Sequence, residues 1–297
     1  MNKASDEGWL ALESEEFGQA QEKYSVALEA ARSLNDRVSE AVYLSYLATA
    51  FKGNGNLEQT RELLNQALAI GEELENLRVC AHVSYLQAEL AEEEGDESAA
   101  IGLLWRALDS ALEAGDPGTA EVSLARLGDI YRNRGWLEQS AECFRQAYEL
   151  VPDSVNAMAW LGNLGQILFE MGDLKGARPR FEQAFALALE QGDIKVQSRC
   201  LASEGLLHLE EGDTEKALDC LKQALELSRE SKDRRAESCW LGNRGNVYLR
   251  MGENSKAQDF CEQALEIADE SGDVRSAAAH LDSIGDCYLQ DGDSVNA

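Results

Sequence analysis

Residues 37–53 read RVSEAVYLSYLATAFKG and residues 57–74 read LEQTRELLNQALAIGEEL. In the first stretch Val38, Ala41, Val42, Leu44, Tyr46, Leu47, Ala48 and Phe51 fall mostly at i, i+3, i+4, i+7 spacing, the mark of an amphipathic helix. In the second, Leu57, Leu63, Leu64, Ala67, Leu68, Ile70 and Leu74 gather on one side, and Glu58, Arg61, Glu62, Gln66 and Glu72 on the other. The break between them contains Gly55. The unit predicted is a pair of helices joined by a tight turn.

That unit repeats. Ala67 belongs to the series Ala27, Ala67, Ala107, Ala147, Ala184, Ala224 and Ala264, whose steps are 40 residues except for one of 37. Gly55, Gly95, Gly135, Gly172, Gly212, Gly252 and Gly292 keep the same beat. A fixed period of this length means one supersecondary unit stacked on copies of itself, an all-α solenoid. Only three prolines occur, as suits such a chain. The punctuation is Gly followed by Asp. Glycine takes the left-handed position that ends one helix, and the aspartate carboxylate accepts from the free N–H groups that start the next. Asp96, Asp173 and Asp213 are expected to cap the second helix of a repeat. Asp36, Asp116, Asp153, Asp193, Asp233 and Asp273 are expected to cap the first helix of the following one.

With residue 1 as position 1, position 8 is Gly8, Ala48, Ala88, Gly128, Gly165, Gly205, Gly245 and Gly285, and position 20 is Ala20, Thr60, Ala100, Ser140, Ala177, Ala217 and Ala257. Position 11 is large in Phe51, Tyr131, Leu168, Tyr248 and Tyr288. Small residues at 8, 20 and 27 let helix axes approach closely, and bulky ones fill between. This pattern resembles the tetratricopeptide repeat, over the whole chain. Residues 1–297 are read as a single array, a right-handed α-solenoid of antiparallel helix pairs with seven repeats and the first helix of an eighth. The longer period, Asn163-Leu164-Gly165-Gln166, Asn243-Arg244-Gly245-Asn246 and Ala264-Leu265-Glu266-Ile267-Ala268 resemble Pins-type scaffolds and bacterial tetratricopeptide regulators.

Two irregularities fall together. The short step lies near Val151-Pro152-Asp153 and predicts a tighter joint there. Pro179, at position 22, predicts a kink in the second helix of repeat 5, or a late start to it.

Composition narrows the functions. Lys and Arg number 27 against 55 Asp and Glu, a net charge of −28. Phosphate binding needs clustered cations, so neither nucleic acid nor an anionic membrane is the expected partner. A basic or amphipathic protein or peptide fits the charge, though acidity also serves solubility. Seven scattered cysteines without a C-x-x-C suggest reduced, packed thiols in a reducing, cytoplasmic compartment. No phosphate loop, nucleophile elbow or converging acid–base set occurs, so no enzyme and no cofactor is expected. His82, His208 and His280 lie in different repeats.

In the resembling fold, positions 2, 5, 6, 9, 12 and 13 of each first helix line the concave face. The resemblance to Pins-type repeats implies that Asn at positions 6 and 9 holds the backbone of an extended ligand. Here those positions give Asn163 and Gln166 in repeat 5 and Asn243 and Asn246 in repeat 7, with Ser203 and Leu206 interrupting in repeat 6. The amides serve either a ligand or hydrogen bonds between neighbouring repeats. Earlier repeats offer His82, Tyr85, Glu89, Glu92 and Glu93, then Arg126, Asp129, Arg132 and Asn133; Arg199 and Arg250 add charge later. Position 5 is Ser5, Ser45, Tyr85, Ala125, Gly162, Ala202, Gly242 and Asp282, never basic, which excludes the clamp that chaperone-binding repeats close on a terminal carboxylate. Trp160 and Trp240 share position 3 and are expected to pack between repeats, with Trp105 similar; Trp9 and Trp136 are the expected exposed anchors. After Asp291-Gly292-Asp293 another second helix is expected to begin, and no polar cap is visible. An uncapped C-terminal face would favour a homodimer; the alternative expectation is that the array is the sensor of a longer signalling protein.

Overall fold

The computed structural model describes residues 2–290 and residue 292. The second helix expected to begin after residue 290 lies outside the described residues. Among the described residues there are helices and turns and no strand. The chain divides into two compact units, residues 1–152 and 153–297.

Unit 1 contains α1 (Asn2–Glu13), α2 (Phe17–Ser33), α3 (Arg37–Gly53), α4 (Leu57–Glu73), α5 (Leu77–Glu93), α6 (Glu97–Glu113), α7 (Pro117–Asn133) and α8 (Leu137–Leu150). Unit 2 contains α9 (Ala157–Glu170), α10 (Leu174–Gln191), α11 (Ile194–Glu210), α12 (Thr214–Glu230), α13 (Arg234–Arg250), α14 (Asn254–Ser271) and α15 (Val274–Gln290). Each helix packs on the next within its unit. The odd-numbered helices also touch one another, α3 on α5 and α5 on α7 in unit 1, and α9 on α11, α11 on α13 and α13 on α15 in unit 2. They form one layer of each stack.

The expected packing register holds. All seven alanines at position 27 are 0% exposed, as are the alanines at position 20. Position 8 stands on position 24 of its own repeat. A methyl group built at Gly165 would lie 2.7 Å from the Phe181 ring, at Gly128 2.7 Å from Phe144, and at Gly8 2.9 Å from Tyr24. Where position 8 is Ala48 or Ala88, position 24 is the smaller Leu64 or Leu104. In these five repeats size trades across the crossing, as a close-packed interior favours; Gly205 and Gly245 instead stand on the smaller Leu221 and Cys261. A hydroxyl at position 20 closes the same crossing: Ser140 Oγ donates to the Gly128 carbonyl at 2.6 Å.

The punctuation holds too, with one correction. Asp36, Asp96, Asp116, Asp173, Asp193, Asp213, Asp233 and Asp273 each accept from the N–H three residues on. Asn56 and Asn76 do the same, asparagines that a Gly-Asp pattern does not predict. Asp153 does not cap. The connection Val151–Asn156 runs six residues, and α9 starts only at Ala157. The joint is therefore not tighter. The flanking helices α8 and α9 are each three residues short of the usual 17, and the connection is three longer than that of residues 34–36, which together give the missing three. This is also where the two units divide. α10 does not start late: it runs unbroken from Leu174 through Pro179, which leaves the Lys175 carbonyl without its helical donor.

Charged and polar side chains stitch one repeat to the next. Arg32 and Arg37 both donate to Glu40, at 2.9 and 2.6 Å, and Arg37 reaches on to Glu73 at 2.8 Å. Arg229, Arg234, Glu237 and Glu270 repeat the device in unit 2. Burial opposes ionisation of Glu40 and Glu237, yet the arginine pairs hold both carboxyls below their ordinary range. Deeper in, Trp240 Nε1 donates to Ser198 Oγ at 2.9 Å, and Ser198 donates to the Ala224 carbonyl. One repeat later Ser238 donates to the Ala264 carbonyl, so its Oγ accepts from His280 Nε2 at 3.0 Å. Position 3 of one repeat thus bonds to position 1 of the repeat before.

Candidate functional site

The residues singled out from the sequence separate into three places. The first is a hollow of about 300 Å³ in unit 2. α9 supplies Gly162, Asn163 and Gln166, α11 supplies Arg199 and Ser203, and the Trp240 indole of α13 closes one wall. Phe181 and Met158 give it an apolar floor. The register explains the grouping. Positions 5, 6 and 9 follow helical spacing on one face of α9, and positions 2 and 6 of α11 lie against it. The floor exists because Gly165 lets Phe181 slide beneath α9.

The polar groups of this hollow are largely uncommitted. Arg199 is exposed and has no carboxylate partner among the described residues, in a chain with two acids for every base. Asn163 and Ser203 are half-buried and have no hydrogen-bond partner there. Gln166 donates to Glu170 at 3.2 Å, leaving its oxygen free. Burial pushes the Cys200 thiol, on the inner wall, up to about 11, so it stays a neutral apolar surface. The arrangement offers two amides, a hydroxyl and a guanidinium over an aromatic floor.

Asn243 and Asn246 are the second place. Both sit on α13, half-buried and exposed, and neither lines the hollow. Arg250, from the same helix, is spent on the preceding repeat, donating to the Leu209 carbonyl at 3.0 Å and to Glu210 at 2.8 Å.

The third place is on α5 and α7 of unit 1. Arg126 donates to Glu92 at 2.8 Å, and Lys52 reaches Glu89 at 2.7 Å and Glu93 at 3.6 Å. Burial, with Glu89 beside it, pushes the Tyr85 phenol up to about 12. Burial also raises the Asp129 carboxyl against the pull of Arg126 and Arg132. The acidic lining expected in the first half is thus tied largely to cations of its own chain.

The other expected residues fall as follows. Trp9 and Trp136 are 49% and 45% exposed, as expected. Trp136 packs beside Tyr131 with the Arg134 guanidinium 5.0 Å from its ring. Trp105 is 42% exposed, though its indole still donates across repeats to Tyr131 at 3.1 Å. His208 lies 3.3 Å from Glu204 and 3.5 Å from Glu211. His82 is edge-on to Tyr46, its Nε2 buried without a partner. Among the described residues no group of His, Cys, Asp or Glu is arranged to hold a metal ion, and no helix is long and apolar enough to cross a membrane.

Residues 118–190 and 236–297 match one tetratricopeptide repeat family model, and residues 198–231 match another. No curated protein sequence matches the chain. Among solved structures it is similar to the Signal Transduction ATPase with Numerous Domains protein with a tetratricopeptide repeat sensor from Pyrococcus horikoshii. The TM-score is 0.74 at 16% identity, covering 92% of this chain and 43% of that one. The quorum sensor NprR from B. thuringiensis gives 0.70 at 11% identity, covering 97% and 81%. Aspartyl phosphate phosphatase F from Bacillus subtilis gives 0.67 at 16%, covering 99% and 80%. At these identities the likeness speaks for the fold, an α-solenoid, and agrees with the helix-pair register. The chain belongs to the tetratricopeptide repeat family.

Proposed function

We propose that this chain is a non-catalytic protein-interaction module that holds a segment of a partner protein on its first helices, with residues 1–297 acting as one array. The observation that carries this reading is the unit 2 hollow, where Asn163, Gln166, Ser203 and Arg199 converge without internal partners for most of their polar atoms. An amide both donates and accepts, so it suits a peptide unit of any sequence. Arg199, with no carboxylate to answer it, selects an acidic side chain or terminus at that point. Asn243 and Asn246 extend the same kind of contact along α13. The cluster around Tyr85, Glu89, Arg126, Asp129 and Arg132 is the weaker part of the surface, because its charges already pair. Sensor and quorum-sensor roles are named for two of the neighbours. They support a regulatory use of the same kind of surface.

The test is selection from a displayed library of short random peptides. The enriched peptides should include a class that carries an acidic residue. Replacing Asn163, Gln166 and Arg199 together by Ala should weaken them about ten-fold or more, since hydrogen bonds to a charged group contribute about 1.5–3 kcal/mol each. Helicity by circular dichroism should not change. Acidic peptides that bind the triple variant as tightly as the native chain would remove the assignment.

A further inference from the structure

Unit 1 contains a hollow of about 410 Å³ lined by Ser5, Asp6, Trp9, Leu10, Tyr24 and Tyr46. In the repeat register these are positions 5, 6, 9 and 10 of α1, position 24 of α2 and position 6 of α3. Gly162, Asn163, Gln166, Phe181 and Ser203 hold positions 5, 6, 9, 24 and 6 in unit 2. The two hollows are therefore the same place in the repeat, built from different residues.

The chemistry is reversed. Where unit 2 has Asn163, unit 1 has Asp6, whose carboxylate has no ion partner among the described residues. Where unit 2 has the Gln166 amide, unit 1 has the Trp9 indole, half of it exposed. Position 2 of the second repeat lining each hollow is Arg199 in unit 2 and the neutral Val42 in unit 1. Three aromatic rings bound the cavity. Trp9 stands edge-on to Tyr46, ring centres 6.0 Å apart at 67°, so the two rings form adjacent walls. Tyr24 lies beneath Tyr46 at 5.2 Å. Tyr24 is wholly buried, and its hydroxyl has no hydrogen-bond partner within the protein.

We propose that this hollow is a binding site for the cationic side chain of a basic peptide, arginine best. Ring faces attract a cation, and the attraction strengthens as the cation leaves water. A guanidinium is planar, stacks on aromatic rings and keeps N–H donors for Asp6. The surroundings favour the same sign, with 28 acidic against 12 basic residues in unit 1. The inference stands on unit 1 residues alone and survives the loss of the unit 2 site.

The experiment is fluorine NMR of the full chain labelled with 5-fluorotryptophan, the Trp9 resonance being assigned with Trp9→Phe. Acetyl-Gly-Arg-Gly-amide should move that resonance saturably. Its citrulline counterpart, equal in shape but neutral, should move it far less. Asp6→Asn should weaken the arginine peptide about three- to ten-fold. An equal response to citrulline, an unmoved Trp9 resonance, or undiminished binding to the Asp6→Asn chain would each overturn the proposal.

Discussion

The hollow over Tyr24 and the hollow over Phe181 occupy one position in two copies of the same repeat, and they differ in nearly every side chain that faces solvent. What they share is buried: glycine at position 8, a ring at position 24, alanine at positions 20 and 27. What differs is positions 2, 6 and 9, where Val42, Asp6 and Trp9 stand in one and Arg199, Asn163 and Gln166 in the other. The lesson is a division of labour within the repeat. Packing positions are fixed by the crossing of two helices, and groove positions vary freely because the stack does not need them.

That division can be broken from the packing side with the largest effects. Phe181→Ala should cost about 3–5 kcal/mol, as truncation of a buried aromatic does. It should remove the floor of the unit 2 hollow along with the stability, measured by denaturant unfolding. Gly165→Leu attacks the same crossing from above and should cost about 1–3 kcal/mol through overpacking. The groove substitutions Asp6→Asn, Asn163→Ala and Arg199→Ala should leave the unfolding midpoint within about 0.5 kcal/mol while changing ligand binding. Destabilisation by these three comparable to that of Phe181→Ala would contradict the division.

Much of this was legible in the residues. The alanine and glycine series gave the helix pairs, the crossings and most of the caps, because each follows from local geometry. Positions 6 and 9 share one helical face, which is why Asn163 and Gln166 line one hollow, and exposure of Trp9 and Trp136 followed from their place in the register. Three things were not legible. Asp153 reads as a cap, but the shortened step is absorbed by α8 and α9, and no local signal says which of helix or turn gives up residues. The acidic first-half lining reads as free charge, but Lys52 and Arg126 arrive from neighbouring repeats 37 and 34 residues away to pair with Glu89 and Glu92. Tyr46 reads as one more apolar helix residue, and only the stack sets it between Trp9, Tyr24 and His82.

A smaller effect sharpens the comparison through pH. Burial depresses the pKa of His280 in unit 2 and of His82 in unit 1 below the ordinary 6.5, with nearby carboxylates opposing. For a histidine whose folded pKa is lowered, the unfolded chain takes the proton first. Stability is then full above the unfolded value near 6.5 and is lost as pH falls below it toward the folded value. Thermal unfolding should shift downward between neutral pH and mildly acidic pH, and His280→Gln should flatten part of that slope. Ser238→Ala, which leaves the His280 N–H buried without its acceptor, should cost about 1–3 kcal/mol at neutral pH. A pH slope unchanged in His280→Gln would count against the buried neutral ring. The smallest effect is expected from the surface pair Arg106–Glu72, 2.5 Å apart but exposed; removing it should cost no more than about 1 kcal/mol, and less at high salt.

The most direct test of two hollows with one register and opposite charge preference is a crossed NMR titration of the full chain. The reporters are the Trp9 indole N–H in unit 1 and the Asn163 side-chain amide in unit 2. An arginine-containing tripeptide is titrated first, and its glutamate-containing counterpart in a second sample. The expected result is that the arginine peptide moves Trp9 and leaves Asn163 nearly still, and that the glutamate peptide does the reverse. Both peptides moving both reporters alike, or each peptide moving the opposite reporter, would contradict the account.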